Sequence, residues 1–440
     1  MFGFLKKFEH NNRKRKIHSS MILKSIIASA DQATLSALSF IISIVLIKTV
    51  SKVDYGYYSI GFSIALFLIS IQNAIVNTPF AVLMVSKTDN AKKKYTASLF
   101  YGQFIVILPV VCIGVLTAAI AHFAGFNSTQ TSVAAAISFA SVGILFREFI
   151  RAYFYAEEMP YKAFKLDVLY VVLFLGCIGF IFLFLKISVA FIFILMGLSG
   201  GLASLIYFRS HDWKYDKPAI KQSYKENWQY GKWALLGVIV WHIQNHGYLY
   251  LLGTLLGSIA VADVSAARLL MMPLFLARVG WMKIAIPHGS RLREKNQLDR
   301  FFKELVLVSI IFVLIVSFYA TILFAFSEIL QKYILAEKYA ESFDYLLLWA
   351  AIFAIGFAGG NASYGLQVIK KFDLLSKVNM ATMLVTLGCS YIGILNYGIK
   401  GGLTALIAGL TIEVVILWYY FAKVVFFLST DNLRHVQMES

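Results

Sequence analysis

Residues 233–257 read WALLGVIVWHIQNHGYLYLLGTLLG. The stretch is long enough to cross a bilayer, which takes about 20 mostly apolar residues. Yet His242, Gln244, Asn245 and His246 stand in its middle. In a soluble protein such a run would be a core helix. In a membrane protein its polar groups would have to turn from lipid toward the bundle interior or a polar path. The rest of the chain chooses between the two.

Of 440 residues, 59% are hydrophobic and 14% charged, where a soluble domain carries about 25% charged residues. Mean hydropathy is +0.73. So little polar surface cannot cover the chain in water, and an all-α polytopic membrane protein is expected. Working outward from 233–257, twelve spans are expected: 24–48, 57–85, 96–121, 132–156, 163–185, 187–208, 233–257, 263–287, 303–329, 343–368, 375–396 and 401–426. The basic N-terminus MFGFLKKFEHNNRKRK precedes an apolar stretch, as in a signal peptide. That stretch is long, contains Asp31 and lacks a small-residue cleavage site, so a retained first helix is expected. Cys112, Cys177 and Cys389 all lie in apolar runs and imply neither disulfides nor a metal site.

The net charge of +17 is explained by where the cations sit. Of 40 Lys and Arg, 29 fall at the two termini and in alternate loops, and 6 in the opposite loops. That bias places both termini in the cytoplasm and removes the need for a nucleic-acid partner. The basic N-terminal run is read first as fixing topology, with contact to anionic membrane lipid as the alternative. Tyr and Trp near span ends, such as Trp228, Trp233 and Tyr420, form the interfacial belt.

Four features recur at nearly one offset. Asp54 matches Asp263, Pro79 matches Pro287, Lys165-Leu166-Asp167 matches Lys377-Val378-Asn379, and Lys186 matches Lys400. The offsets run from 208 to 214 and keep both order and topology. A duplicated six-helix half follows: a basic N-terminus (1–23), an N-terminal half (24–208), a cytoplasmic linker (209–232), a C-terminal half (233–426) and a tail (427–440). Six spans per half make parallel repeats, an arrangement that sets a substrate path between the halves.

Three stretches carry a family resemblance: LIKTVSKVDYGYYSIGFSIA (46–65), with a D-Y-G-x-Y turn, YLLGTLLGSIAVADVSAARLL (250–270), and REFIRAYFYAEEMPYKAFKLDVL (147–169). The chain resembles the polysaccharide-transporter branch of the multidrug/oligosaccharidyl-lipid/polysaccharide (MOP) flippase superfamily. The resemblance implies two six-helix bundles working by alternating access. It implies a substrate, an undecaprenyl-diphosphate-linked oligosaccharide carried across a bacterial inner membrane for O-antigen or exopolysaccharide synthesis. It implies polymerase and chain-length machinery as partners, and no cofactor. Family members often have an acid close to Tyr248. This chain has none between Glu226 and Asp263, which puts cation coupling through span 7 in doubt.

Such a substrate needs cations for its diphosphate, and arginine's planar fork suits phosphate. Arg147 and Arg151, four apart in span 4, share a face. They are read as a diphosphate grip or as an anchor paired with Glu148, Glu157 or Glu158. Arg278, deep in span 8, is the leading candidate; Lys283 lies on another face and can snorkel. Asp31, two turns into span 1, is read as an ion-coupling candidate or as a partner for Lys24 or another helix. Asn73 and Asn77, before Pro79, are read as a sugar-path lining or as interhelical glue. His242, Asn245 and His246 fall on one stripe, read as a polar cavity wall or as helix–helix hydrogen bonding. A metal site would need more ligands.

Two other functions remain. A cationic-drug exporter would show several in-span acids, but here these are few: Asp31, Glu148 and Glu413. A glycan polymerase or ligase would usually carry a large outer loop, but the longest here is SEILQKYILAEKYAES (327–342). With no nucleophile–base constellation and no P-loop, a transporter rather than an enzyme is expected.

Overall fold

The long apolar runs become long helices because, in lipid, each backbone N–H and C=O must be satisfied within its own segment. In the computed structural model the backbone is described for residues 2–125, 128–184, 187–209 and 215–438, and side chains for 23–125, 128–180, 187–208 and 215–426. Lys186, residues 210–214 of the linker and the side chains of the basic N-terminus and tail lie outside the described residues.

The helices are α1 Phe2–Thr49, α2 Lys52–Met84, α3 Asp89–Phe123, α4 Ser128–Ala156, α5 Pro160–Phe184 and α6 Val189–Arg209. They continue as α7 Lys217–Leu255, α8 Ser258–Leu270, α9 Met272–Glu294, α10 Leu298–Ala325, α11 Leu346–Val368 and α12 Phe372–Met438. Among the described residues, nine helices are long and apolar enough to cross a membrane, or ten if α8 and α9 count as one bent span. The chain is a multi-pass, all-α membrane protein.

That count departs from twelve for physical reasons. Helix α7 falls short because His242, Gln244, Asn245 and His246 dilute its apolar stretch. Helix α12 counts once, yet Gly398 takes φ 60° and ψ −141° inside it, a conformation reserved for glycine. The chain reverses there. A Cβ at Gly393 would lie 2.5 Å from the Gly401 carbonyl oxygen, and one at Gly409 2.0 Å from Thr386 Oγ1. Residues 372–397 and 399–426 therefore run back against each other. Span 8, expected as one helix, bends by 58° between α8 and α9. Pro273, at the start of α9, lacks the N–H that would continue the ladder.

Other segments expected to be loops are helical. The D-Y-G-x-Y turn is the start of α2, where Ser51 Oγ accepts from the Asp54 amide at 3.1 Å and donates to its carboxylate at 2.8 Å. The expected outer loop holds short helical turns at Ser327–Leu330, Gln331–Leu335 and Glu337–Tyr345.

The chain divides into two compact units: Met1–Ile42 with Ile64–Leu235, and Ser43–Ser63 with Leu236–Ser440. In the first, α4 is the central helix. Its Ala-, Ser- and Gly-rich start permits a close crossing with α6, where a Cβ at Gly143 would sit 1.7 Å from the Gly197 carbonyl oxygen. In the second, Leu292, Phe301, Leu305, Leu366, Leu417 and Phe421 form a core across α9 to α12. The turns after α4 and α11 close alike. Met159 N donates to Phe154 O at 2.8 Å and Lys371 N to Leu366 O at 2.9 Å, with Glu158 and Lys370 at positive φ. Those two residues are 212 apart, the offset of Lys165 from Lys377.

Candidate functional site

In the first unit, the central helix α4 carries Arg147, Glu148 and Arg151 into a fully helical surround. Asp31 on α1 and Asp167 on α5 meet them there, both completely buried. Arg151 Nη2 lies 2.9 Å from Asp31 Oδ2, its Nε 2.8 Å from Asp167 Oδ2, and its Nη1 3.5 Å from Glu148 Oε2. Arg147 Nη2 lies 2.6 Å from Glu148 Oε1, and its Nε 3.8 Å from Asp167 Oδ1. Tyr155 donates to Asp31 at 2.6 Å, and the Tyr170 ring sits 4.0 Å from the Arg147 guanidinium. Asp31 and Asp167 thus share the Arg151 guanidinium.

The structure thus joins three expected residues, Asp31, Arg147 and Arg151, into one network, and neither guanidinium is free. Of the two partners expected for Asp31, Lys24 or another helix, the second is found; Lys24 pairs with Glu158 at 2.7 Å, and that contact holds the exposed Glu158 carboxyl below its usual range. Asp167 enters the sequence reading as a repeat marker, not as a site residue or an in-span acid. The signal was there, an acid within the apolar run after Lys165-Leu166.

Also in this unit, Asn73 and Asn77 sit on a π-helical turn at Asn73–Asn77, and Asn77 Nδ2 donates to Asn73 Oδ1 at 2.7 Å. Asn77 is buried and Asn73 exposed. Pro79 removes the N–H that the Ile75 carbonyl would otherwise accept from. Asn227, on the linker end of α7, supplies the donor: its Nδ2 reaches Ile75 O at 3.3 Å and Val76 O at 3.2 Å. Tyr95 donates to the same amide's Oδ1.

In the second unit, α7 presents its polar residues in two directions. The His242 and His246 rings stack 4.6 Å apart and 20° from parallel. His242 Nε2 contacts Tyr250 Oη at 2.9 Å, and that hydroxyl contacts Ser63 Oγ at 2.9 Å. Asn245 turns back to donate to the Trp241 carbonyl of its own helix at 2.8 Å. Gln244 points the other way and donates to Glu413 Oε2 at 2.5 Å and Thr382 Oγ1 at 3.3 Å. Glu413, unassigned from the sequence, is therefore the acid that answers the polar stretch of α7.

Arg278 stands half-buried on α9, within electrostatic reach of Glu413. Among the described residues no carboxylate comes within ion-pair distance of it. Its guanidinium lies on α11, where a Cβ at Gly360 would be 3.1 Å from Nη2. Lys283 is exposed on the same helix and is not brought to Arg278.

The family described as "Polysaccharide biosynthesis protein" matches residues 45–344. The chain belongs to that family. Among solved structures, the chain is similar to a multidrug-resistance MATE-family transporter of the MOP superfamily in its inward-facing conformation. The TM-score is 0.72 at 13% identity, over 90% of this chain and 95% of that one. It is also similar to the lipid II flippase MurJ in an inward closed conformation, with a TM-score of 0.71 at 15% identity, over 94% of this chain and 91% of that one. A MOP-superfamily transporter from Pyrococcus furiosus, whose binding pocket is described as reversed in polarity, gives 0.63 at 13% identity, over 93% of this chain and 96% of that one. The fold is therefore that of the MOP transporters. Comparison with curated proteins gives no match.

Proposed function

We propose that this protein is a flippase. It carries an oligosaccharide linked to undecaprenyl diphosphate from the cytoplasmic to the outer leaflet of a bacterial inner membrane. The observation that carries the reading is Arg278. A guanidinium within a span is costly unless something answers its charge. Here no carboxylate pairs with it among the described residues. An incoming diphosphate supplies the missing anion, with bidentate geometry. The family match supports a role in polysaccharide assembly, and the MurJ likeness supports a fold able to host lipid flipping.

In this proposal Arg278 holds the diphosphate, with Lys283 nearer the membrane surface as an attracting charge. The His242–His246 stripe and the Asn73–Asn77 turn offer hydrogen bonds to the glycan. Arg147 and Arg151 must first release their carboxylates to touch phosphate, so their network serves coupling. Three carboxylates face two arginines there, which leaves one negative charge in excess. The two six-helix halves, 24–208 and 233–426, give alternating access as parallel repeats do.

The test is gene deletion with two readouts, surface glycan and the leaflet distribution of lipid-linked oligosaccharide. The reading expects loss of glycan and build-up on the cytoplasmic leaflet, restored by the wild-type gene and not by Arg278→Ala. An intermediate that crosses normally and stays unpolymerised outside would overturn it in favour of a polymerase. No change in either quantity would favour a small-molecule exporter.

A further inference from the structure

Among the described residues the Arg278 guanidinium has no ion-pair partner to fix its direction, so something else must hold it. Helix α11 does so with missing side chains. An ideal Cβ at Gly360 would lie 3.1 Å from Arg278 Nη2, 3.3 Å from Nε and 3.5 Å from Cζ. One turn earlier, a Cβ at Gly356 would lie 3.9 Å from Nη1, an ordinary van der Waals contact. The guanidinium thus lies along one turn of α11, with its Nε–Nη2 edge where a side chain at 360 would begin. Gly359, beside it, serves a different purpose: its Cβ would meet Val414 Cγ2 at 2.8 Å.

The register between α9 and α11 is fixed next to this contact. Trp281, three residues beyond Arg278, donates its Nε1 to Asn361 Oδ1 at 2.9 Å. Asn361 is fully buried, and its Nδ2 donates to Ser309 Oγ on α10 at 2.8 Å. Both ends of the amide are used, so the shelf cannot slide past α9 without breaking the Trp281–Asn361 hydrogen bond.

We infer that Gly360 is a positioning residue: its bare Cα forms the shelf that aims the Arg278 guanidinium, with Asn361 fixing the register, and together they set affinity for a diphosphate headgroup. The inference rests on the diphosphate reading of Arg278 given above. A methyl at 360 pushes the Nε–Nη2 edge by a few tenths of an ångström, enough to spoil one of two parallel bonds to phosphate. A methyl at 356 fits.

The experiment measures binding of undecaprenyl diphosphate and of undecaprenol to the full-length protein in phosphatidylethanolamine/phosphatidylglycerol nanodiscs. Gly360→Ala should weaken diphosphate binding roughly tenfold, the loss of about one well-aligned charged hydrogen bond. Undecaprenol binding should be unchanged, and Gly356→Ala should behave as wild type. If Arg278→Ala loses diphosphate selectivity while Gly360→Ala keeps it, the positioning inference fails and the reading of Arg278 stands. If Arg278→Ala itself binds both lipids as wild type does, the reading beneath the inference fails. Equal weakening for both lipids would mark a packing defect and overturn the inference. Should Gly360→Ala not fold, Trp281→Phe decides. It keeps an aromatic ring, though a smaller one, and removes the donor to Asn361, so severalfold selective loss supports the inference and wild-type selectivity overturns it.

Discussion

Replacing Arg151 by methionine tests the buried network directly. The substitution keeps much of the side-chain volume and removes the contacts to Asp31 at 2.9 Å, Asp167 at 2.8 Å and Glu148 at 3.5 Å. Three carboxylates then face Arg147 alone. Breaking a buried ion pair by deleting one partner costs about 3–5 kcal/mol, because the charge left behind has lost its water. Arg151 keeps 17% of its side-chain surface exposed, which favours the lower end of that range. The assay is thermal unfolding of the detergent-purified protein, followed by tryptophan fluorescence. Arg151→Met should unfold well below wild type. Adding Asp31→Asn removes one of the stranded charges and should recover at least about 1 kcal/mol, a coupling expected for residues in direct contact. The reasoning is refuted if Arg151→Met unfolds at the wild-type midpoint, or if Asp31→Asn adds its own destabilisation on top.

Two further tests concern the linker end of α7. Asn227→Leu strands the Ile75 carbonyl and the Tyr95 hydroxyl in a fully buried place, so a loss of about 2–3 kcal/mol is expected, visible as faster hydrogen exchange over 217–231. Unchanged exchange there would show that the π-turn does not depend on this amide. Asp216 is held below the 3.8 of a free aspartate, first by Lys94 at 2.7 Å and then by the Ala219 amide. A depressed carboxyl stabilises the fold at neutral pH and ceases to as pH falls through its folded value. Exchange at 217–221, corrected for intrinsic rate, should therefore begin to rise as pH falls below about 3.8 and go on rising down to the folded value; a rise at pH 5 to 6 would contradict the assignment.

The fold class was legible because hydropathy and the lysine and arginine bias act over the whole chain, and bilayer physics leaves few alternatives. Local breaks were harder to read. Pro273 stands in an apolar run, where hydropathy does not register a bend, whereas the reversal at Gly398 falls in the gap expected between spans 375–396 and 401–426. Helix α7, by contrast, is expected as a span at 233–257 in spite of its polar centre, and the structure gives a helix there. At the candidate site, pairs close in sequence were visible: Arg147 with Glu148, and Asn73 with Asn77. Pairs made by packing were not. Asp31 meets Arg151 across 120 positions and Gln244 meets Glu413 across 169. Periodicity places a residue on a face of its helix and says nothing of which helix lies opposite.

The two units treat buried cations in opposite ways. In the first, both arginines are saturated by carboxylates, two of them completely buried. In the second, Arg278 has a glycine shelf beneath it, and the nearby Glu413 is engaged by Gln244. Insertion into a bilayer disfavours an in-span arginine by about 2.5–3.5 kcal/mol, and a packed protein relieves that by pairing, as the first unit does. Packing alone would have been served as well by an apolar residue at 278. An unpaired guanidinium is worth keeping where an anion arrives for part of a cycle and then leaves, since a permanent carboxylate partner would compete with it. A cationic cargo would favour the reverse arrangement, an unpaired acid facing the path. The unequal saturation of Arg147, Arg151 and Arg278 is thus an argument for an anionic load that composition alone could not supply.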